Sequence, residues 1–107
     1  MNDYYILKGK KVVSTDLVTW AKWFGEPTKH RVVKQTTLKN GRWVSTVFLG
    51  LDHSFGMGKK PILFETMVFP DRKDLADLDM AKCSTWKEAE TQHKEMVKKW
   101  QKEVTKI

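Results

Sequence analysis

The sequence predicts an α+β fold. The expected order is β-β-α-β-β-β-α, with an antiparallel sheet of about five strands and a long C-terminal helix packed on one face. Three observations lead there. Apolar and β-branched residues run in short stretches broken by glycine turns, the pattern of hairpin-linked strands. Leu17, Trp20, Ala21 and Phe24 recur at helical spacing early in the chain. Trp86, Ala89, His93, Met96, Val97, Trp100 and Val104 form a longer stripe of the same period at its end.

Each element has a local cause. Tyr4-Tyr5-Ile6-Leu7 and Val12-Val13 flank the turn Lys8-Gly9-Lys10-Lys11 and read as a hairpin. Ser14, Thr15 and Asp16 are N-cap types, so the first helix runs from about Asp16 to Phe24. Gly25 and Pro27 end it. Trp23 falls off its apolar stripe. Residues 30–38 are rich in β-branched types, and Asn40-Gly41 is a type I′ turn signal leading into a return strand, Arg42–Leu49. With Asn40 and Gly41 as the central turn residues, Leu38 pairs with Trp43, Thr36 with Ser45, Lys34 with Val47 and Val32 with Leu49. Apolar groups on both faces near Val47–Leu49 make the return strand central.

Gly50–Lys60 is too long for a tight turn, and Phe55 and Met57 are placed to fold back onto the core. Pro61–Phe69 is the most apolar strand. Asp71–Lys82 reads as acidic and irregular, anchored by Leu75, Leu78 and Met80. Thr85 and Glu88 have capping-box spacing, so the second helix spans about Thr85–Lys102 and frays beyond. Glu90–Lys94 and Glu95–Lys99 are placed for i, i+4 ion pairs along it.

The 107 residues suit a single domain over 1–107. No apolar stretch approaches the ~20 residues of a membrane span, and the N-terminus lacks a signal-peptide layout. One cysteine excludes an internal disulfide, a zinc ribbon or a C-x-x-C redox motif. The net charge of +7 points to an acidic partner. Residues 1–60 hold eleven Lys and Arg against four Asp and Glu, whereas the remainder balances nine against nine. The whole excess therefore lies in the first 60 residues, and a basic face is expected there.

Few residues carry recognisable chemistry. The Gly50–Lys60 loop mixes Asp52, His53, Ser54, glycines and lysines, and reads either as a structured connection or as a ligand-contacting loop. Glu65 interrupts an apolar strand, as a catalytic base does and as a structural ion-pair partner does more often. His93 lies on the apolar stripe of the last helix and reads as a hydrogen-bonded core histidine. Asp52 and His53 lack metal-ligand spacing, so neither a metal nor a cofactor is expected. Cys83 reads as packed at the start of the last helix rather than reactive. Trp23 beside Lys22 and Trp43 beside Arg42 are candidate partner-binding anchors. Trp20, Trp86 and Trp100 belong to the core, and the lysines are too scattered to signal a nucleic-acid track.

Four segments carry a resemblance: Thr19–Phe24, Val44–Gly56, Leu63–Phe69, and Ser84-Thr85-Trp86 with Glu88-Ala89-Glu90, His93 and Met96-Val97. On these the chain resembles a family of small tailed-bacteriophage proteins. The chain departs from the family pattern at Met57-Gly58-Lys59-Lys60, where relatives are richer in Gly and Pro, which weakens a ligand role for Lys59 and Lys60. The shared motifs centre on Ser45-Thr46, Asp52-His53 and Glu65-Thr66. The resemblance implies a ligand site of Ser45, Thr46, Asp52, His53 and Glu65 on one side of the sheet near the loop. It also implies a phage accessory protein in the host bacterial cytoplasm, with no membrane association. Such a protein would act by binding, against host defence, either on a host protein or by sequestering a small anionic nucleotide signal. A hydrolase or nuclease using Glu65 with Asp52 and His53 is the second expectation. Non-specific nucleic-acid binding is the third. Self-association through Trp23 or Trp43 to a homo-oligomer accompanies the first.

Overall fold

The computed structural model describes residues 4–55 and 57–102. Strands β1 (Tyr4–Lys8) and β2 (Lys11–Thr15) pair around a two-residue Gly9-Lys10 turn and form a sheet of their own. The Tyr5 N–H donates to the Gly50 carbonyl at 2.9 Å, and Tyr4 bridges Leu51, which ties this hairpin to the rest of the chain.

Helix α1 (Leu17–Phe24) starts at Asp16, whose carboxylate accepts the Thr19 N–H at 2.8 Å. Its inward side chains are Trp20, Trp23 and Phe24, whereas Leu17 is 53% exposed. The expected Leu17/Ala21 edge of the stripe is thus turned to solvent. The cause is tertiary: Trp23 meets Phe48 edge-on at 5.7 Å and stacks on His30 at 4.3 Å, which rotates the helix toward its aromatic side. A single 3-10 turn (Thr28–Arg31) follows.

The main sheet is β3 (Val32–Thr37), β4 (Trp43–Phe48), β5 (Phe64–Phe69) and β6 (Asp79–Cys83), antiparallel and in sequential order. The fold is α+β with six strands in two sheets, rather than about five in one. Strand β6 lies in the stretch expected to be irregular. Its three inward residues are Asp79, Ala81 and Cys83, one charged and two small, which do not register as an apolar alternation. Leu75, Leu78 and Met80 are 67%, 42% and 45% exposed and anchor nothing.

The β3–β4 register differs by one residue from the sequence expectation. Thr37 pairs with Trp43, Thr36 with Val44, Gln35 with Ser45 and Lys34 with Thr46, with an irregularity before Val32 and Val47. The turn is the reason. Gly41 donates its N–H to the Leu38 carbonyl at 3.0 Å, and Leu38 donates to Arg42 at 2.7 Å, so three residues loop between the last paired positions. Gly41, at φ +88°, takes the left-handed position after that turn. A one-residue slip exchanges the partners of every side chain. Here it puts Thr36 on the same face as Thr46.

Helix α2 (Trp86–Lys102) lies across this face. The capping box forms: Glu88 accepts the Ser84 and Thr85 N–H groups, and the Thr85 hydroxyl accepts the Glu88 N–H. At the far end Asp79 accepts Lys99 Nζ at 2.7 Å and Trp100 Nε1 at 3.0 Å. Lys99 thus pairs with β6 rather than with Glu95, and no Glu90–Lys94 ion pair is present among the described residues. Val104 and the expected fraying beyond Lys102 lie outside the described residues.

The buried stripe of α2 is Ala89, His93 and Met96, with Trp86, Val97 and Trp100 half-buried beside it. Two apolar clusters result. Leu7, Phe48, Leu63, Phe64, Cys83 and Ala89 form one, and Leu38, Val44, Val68 and Met96 the other. Thr46, Thr66 and His93 occupy the middle row between them, all at most 1% exposed. The opposite face of the sheet carries Trp43, Ser45, Val47, Glu65, Met67 and Phe69 and is left uncovered by α2. Among the described residues no helix is long and apolar enough to cross a membrane.

Candidate anion-binding site

A hydroxyl–imidazole chain crosses the core under α2. Thr66 Oγ1 lies 2.8 Å from Thr46 Oγ1, and Thr46 Oγ1 lies 2.7 Å from His93 Nδ1. His93 Nε2 in turn lies 2.8 Å from Thr36 Oγ1. Period-two alternation supplies the threonines, one each from β3, β4 and β5, and the helical stripe supplies the imidazole. Both ring nitrogens are partnered, which is what lets a histidine sit fully buried in an apolar setting.

Burial, helped by the Lys34 charge, pushes the His93 pKa below its ordinary value, so the ring is held neutral. The sign of the linkage follows. Above about pH 6.5 the ring is neutral in both folded and unfolded chains and its contribution to stability is complete. As the pH falls through the lower folded-state pKa, the unfolded chain takes up a proton that the folded chain resists, and stability is lost. Urea unfolding of the wild type should show this fall between neutral and mildly acidic pH. His93→Gln should start less stable and fall less, and Lys34→Ala should also flatten the fall.

Thr36 brings the chain to the surface. It opens into a cavity of about 310 Å3 between β3 and α2. Lys34 and Thr36 line it from the strand, and His93, Lys94, Val97, Lys98 and Gln101 from the helix. Positions 94, 97, 98 and 101 form a stripe beside the buried one, so α2 presents two lysines to this cavity by its own periodicity. Lys34 closes it from the other side. Among the described residues none of these three lysines forms an ion pair. A concavity lined by three lysines and a threonine has the residue types that hold an oxyanion.

A larger cavity, about 750 Å3, lies at the start of α2 beside Lys60, Lys82 and Lys87. Its natural anion position is already filled. The Glu88 carboxylate takes the Ser84 and Thr85 N–H groups, and these hydrogen bonds hold it below the usual carboxylate range. An incoming anion would have to displace it.

The residues singled out from the sequence do not share one pocket. Thr46 is buried under α2, whereas Ser45, 8% exposed, faces the opposite side and accepts Gln35 Nε2 at 3.1 Å. Glu65 is on that side too, 3.9 Å from Lys82, which matches its structural reading. Successive residues on a strand point to opposite faces, so Ser45 and Thr46 cannot converge. Asp52 and His53 sit in the loop. Asp52 accepts the N–H groups of Ser54 at 2.8 Å and Ile62 at 2.9 Å, and the His53 N–H donates to Ile62 at 2.9 Å. Hydrogen bonding from Ser54 and Ile62 holds the Asp52 carboxyl below its usual range. These bonds clasp the loop as a structured connection. Phe55 and Met57 are 82% and 88% exposed and do not fold back onto the core.

Among the partner candidates, Trp23 is packed inward against Phe48 and His30, while its neighbour Lys22 is exposed. Arg42 lies over the Trp100 ring at 4.9 Å and donates to the Trp100 carbonyl, holding the end of α2. Trp43 remains on the open sheet face, half-buried against Phe69 and under Arg72 at 4.8 Å. Burial pushes the Cys83 thiol up to about 11, so it is protonated at neutral pH. Among the described residues no three His, Cys, Asp or Glu side chains stand close enough to hold a metal ion.

Sequence reasoning missed Lys34, Thr36, Lys94 and Lys98, whereas His93 is the hydrogen-bonded core histidine expected. The signal for two of them was present: Lys94 and Lys98 flank the His93 stripe at i+1 and i+5. Lys34 and Thr36 required the true hairpin register. Compared with known protein families, curated proteins and solved structures, the chain shows no match.

Proposed function

We propose that this protein works by binding, and that it takes up a small phosphate-bearing anion of the nucleotide class in the cavity between β3 and α2. The observation that carries this is that Lys34, Lys94 and Lys98 line one cavity with Thr36, whose hydroxyl is hydrogen-bonded to a buried neutral imidazole. The cavity is of the size that small-molecule sites have, at the lower end of roughly 300–1,000 Å3. With the resemblance to tailed-bacteriophage proteins, the role proposed is sequestration of an anionic signal in the cytoplasm of an infected bacterium, against host defence.

Binding is favoured over hydrolysis on two grounds. Glu65 stands on the far face of the sheet from the cavity, and Asp52 is engaged by the loop. His93 has hydroxyls on both nitrogens, where a catalytic imidazole has a carboxylate to stabilise its protonated form. Non-specific nucleic-acid binding has less support, because its aromatic–basic candidates are engaged within the fold: Trp23 is packed inward and Arg42 holds the end of α2. Its mark would be an affinity that falls steeply with salt. A host-protein partner is a second reading, favoured by Trp43 on the uncovered sheet face.

Calorimetric titration with linear and cyclic nucleotides tests the proposal. Saturable one-site binding is expected. Each hydrogen bond to a charged group contributes about 1.5–3 kcal/mol. The double variant Lys94→Glu, Lys98→Glu should therefore lose affinity by roughly tenfold or more. Its stability should stay within about 0.5 kcal/mol of wild type, as both side chains are exposed. Silence toward every nucleotide, or unchanged affinity in the double variant, would sink the proposal.

A further inference from the structure

The chain Thr66–Thr46–His93–Thr36 can run in two directions, because each hydroxyl has one proton to donate and lone pairs to accept with. In one direction Thr36 donates to Nε2, the Nδ1–H donates to Thr46, and Thr46 donates to Thr66. Thr36 then shows only lone pairs to the cavity. In the other direction Thr66 donates to Thr46 and Thr46 donates to Nδ1. The Nε2–H then donates to Thr36, whose own proton points into the cavity. Both directions leave His93 and Thr46 fully paired without moving a heavy atom, so the choice between them is open to whatever occupies the cavity. Three lysines line the same space, and an anion drawn there by their charge selects the second direction.

We infer that Thr36 is the recognition hydroxyl of this cavity, set as a donor by the Nε2–H tautomer of His93, and that the group it recognises is a terminal phosphate. This rests on the anion-binding reading above. A terminal phosphate carries about −1.5 to −2 charge and three unesterified oxygens. That charge suits a cavity lined by three lysines on opposite walls, with one free oxygen to spare for the Thr36 hydroxyl. A phosphodiester offers a single charge and two free oxygens, and so draws less from the same lysines. Linear nucleotides should therefore bind ahead of cyclic ones. His93 touches the ligand only through Thr36 and is a positioning residue.

The experiment is NMR on uniformly 15N-labelled protein, above the ordinary titration range of imidazole. Inorganic phosphate, AMP and cyclic AMP are added in turn. Amide resonances of Lys94 and Lys98 report occupancy, and long-range 1H–15N spectra report which His93 nitrogen carries the proton. Phosphate and AMP should shift the lysine amides and leave Nε2 protonated and Nδ1 bare. Cyclic AMP should bind roughly tenfold more weakly, the loss of about one good charged contact. Thr36→Val should weaken AMP by a similar factor, and Thr36→Ser should restore it. Bound AMP with the proton on Nδ1, undiminished affinity in Thr36→Val, or equal affinity for cyclic AMP would each overturn this inference while leaving the cavity as an anion site. No response of the lysine amides to any probe would overturn both.

Discussion

Gly50→Ala should lower the stability by about 2–5 kcal/mol, far more than the same change at Gly41. Both glycines have left-handed backbones, at φ +80° and +88°. An alanine in that region costs about 1–2 kcal/mol by itself. At Gly41 nothing lies within 4 Å of where a Cβ would sit, so that cost is the whole effect. At Gly50 the new carbon would stand 2.9 Å from Trp20 Nε1 and 3.0 Å from Phe24 Cε1. Neither ring can retreat freely. They stack on each other at 4.8 Å, and Arg31 sits 3.6 Å from the centre of the Phe24 ring. Overpacking of this kind adds about 1–3 kcal/mol. Gly50 also accepts the Tyr5 N–H, so the strain would loosen α1 and the β1–β2 hairpin together. Urea midpoints of the two variants measure the difference, and equal midpoints would show that the close approach of α1 to Gly50 contributes nothing.

Thr46→Val is expected to cost about 2–4 kcal/mol although it is nearly isosteric. Thr46 is fully buried and serves two partners, Thr66 Oγ1 and His93 Nδ1. Valine leaves both without a bond, and a buried polar group so stranded costs about 1–3 kcal/mol. Thr66→Val should cost less, because Thr46 keeps its bond to His93. The double variant should be more stable than the sum of the single losses requires, since only His93 then lacks a partner. Equilibrium unfolding of the three variants gives the cycle. A loss in Thr46→Val below about 0.5 kcal/mol, the ordinary scatter for an unimportant site, would mean that the network does not hold the core.

Much of the architecture was legible in short stretches. The Asp16 cap, the Thr85/Glu88 box and the Ala89/His93/Met96 stripe were all readable because each depends on residues within a few positions of one another. The central place of β4 followed from apolar residues on both its faces. Three features were not legible. Strand β6 hid because one of its inward residues is charged and the others are small. The inward turn of Trp23 depends on Phe48 and His30, which α1 meets only after folding. The hairpin register turned on one residue, since Asn40-Gly41 fits a two-residue turn and the observed three-residue loop equally well on paper. That slip also brought Thr36 to the face that α2 covers.

The charge distribution divides in the same way. Sequence alone placed all of the +7 excess in the first 60 residues and a balanced charge on residues 61–107. Yet two of the three lysines around the cavity come from α2, and Lys34 joins them from some 60 positions away. A segment with no net charge still presents a cationic stripe, because five of its nine acids precede the helix, which itself holds five lysines against three glutamates. Sequence by itself determined both helices, most of the strands and the inward stripe of α2, because periodicity is a property of neighbours along the chain. Only the tertiary structure decided where charge and hydrogen-bonding groups meet. Electrostatic and hydrogen-bond energies depend on separation in space, and packing α2 across β3, β4 and β5 sets those separations.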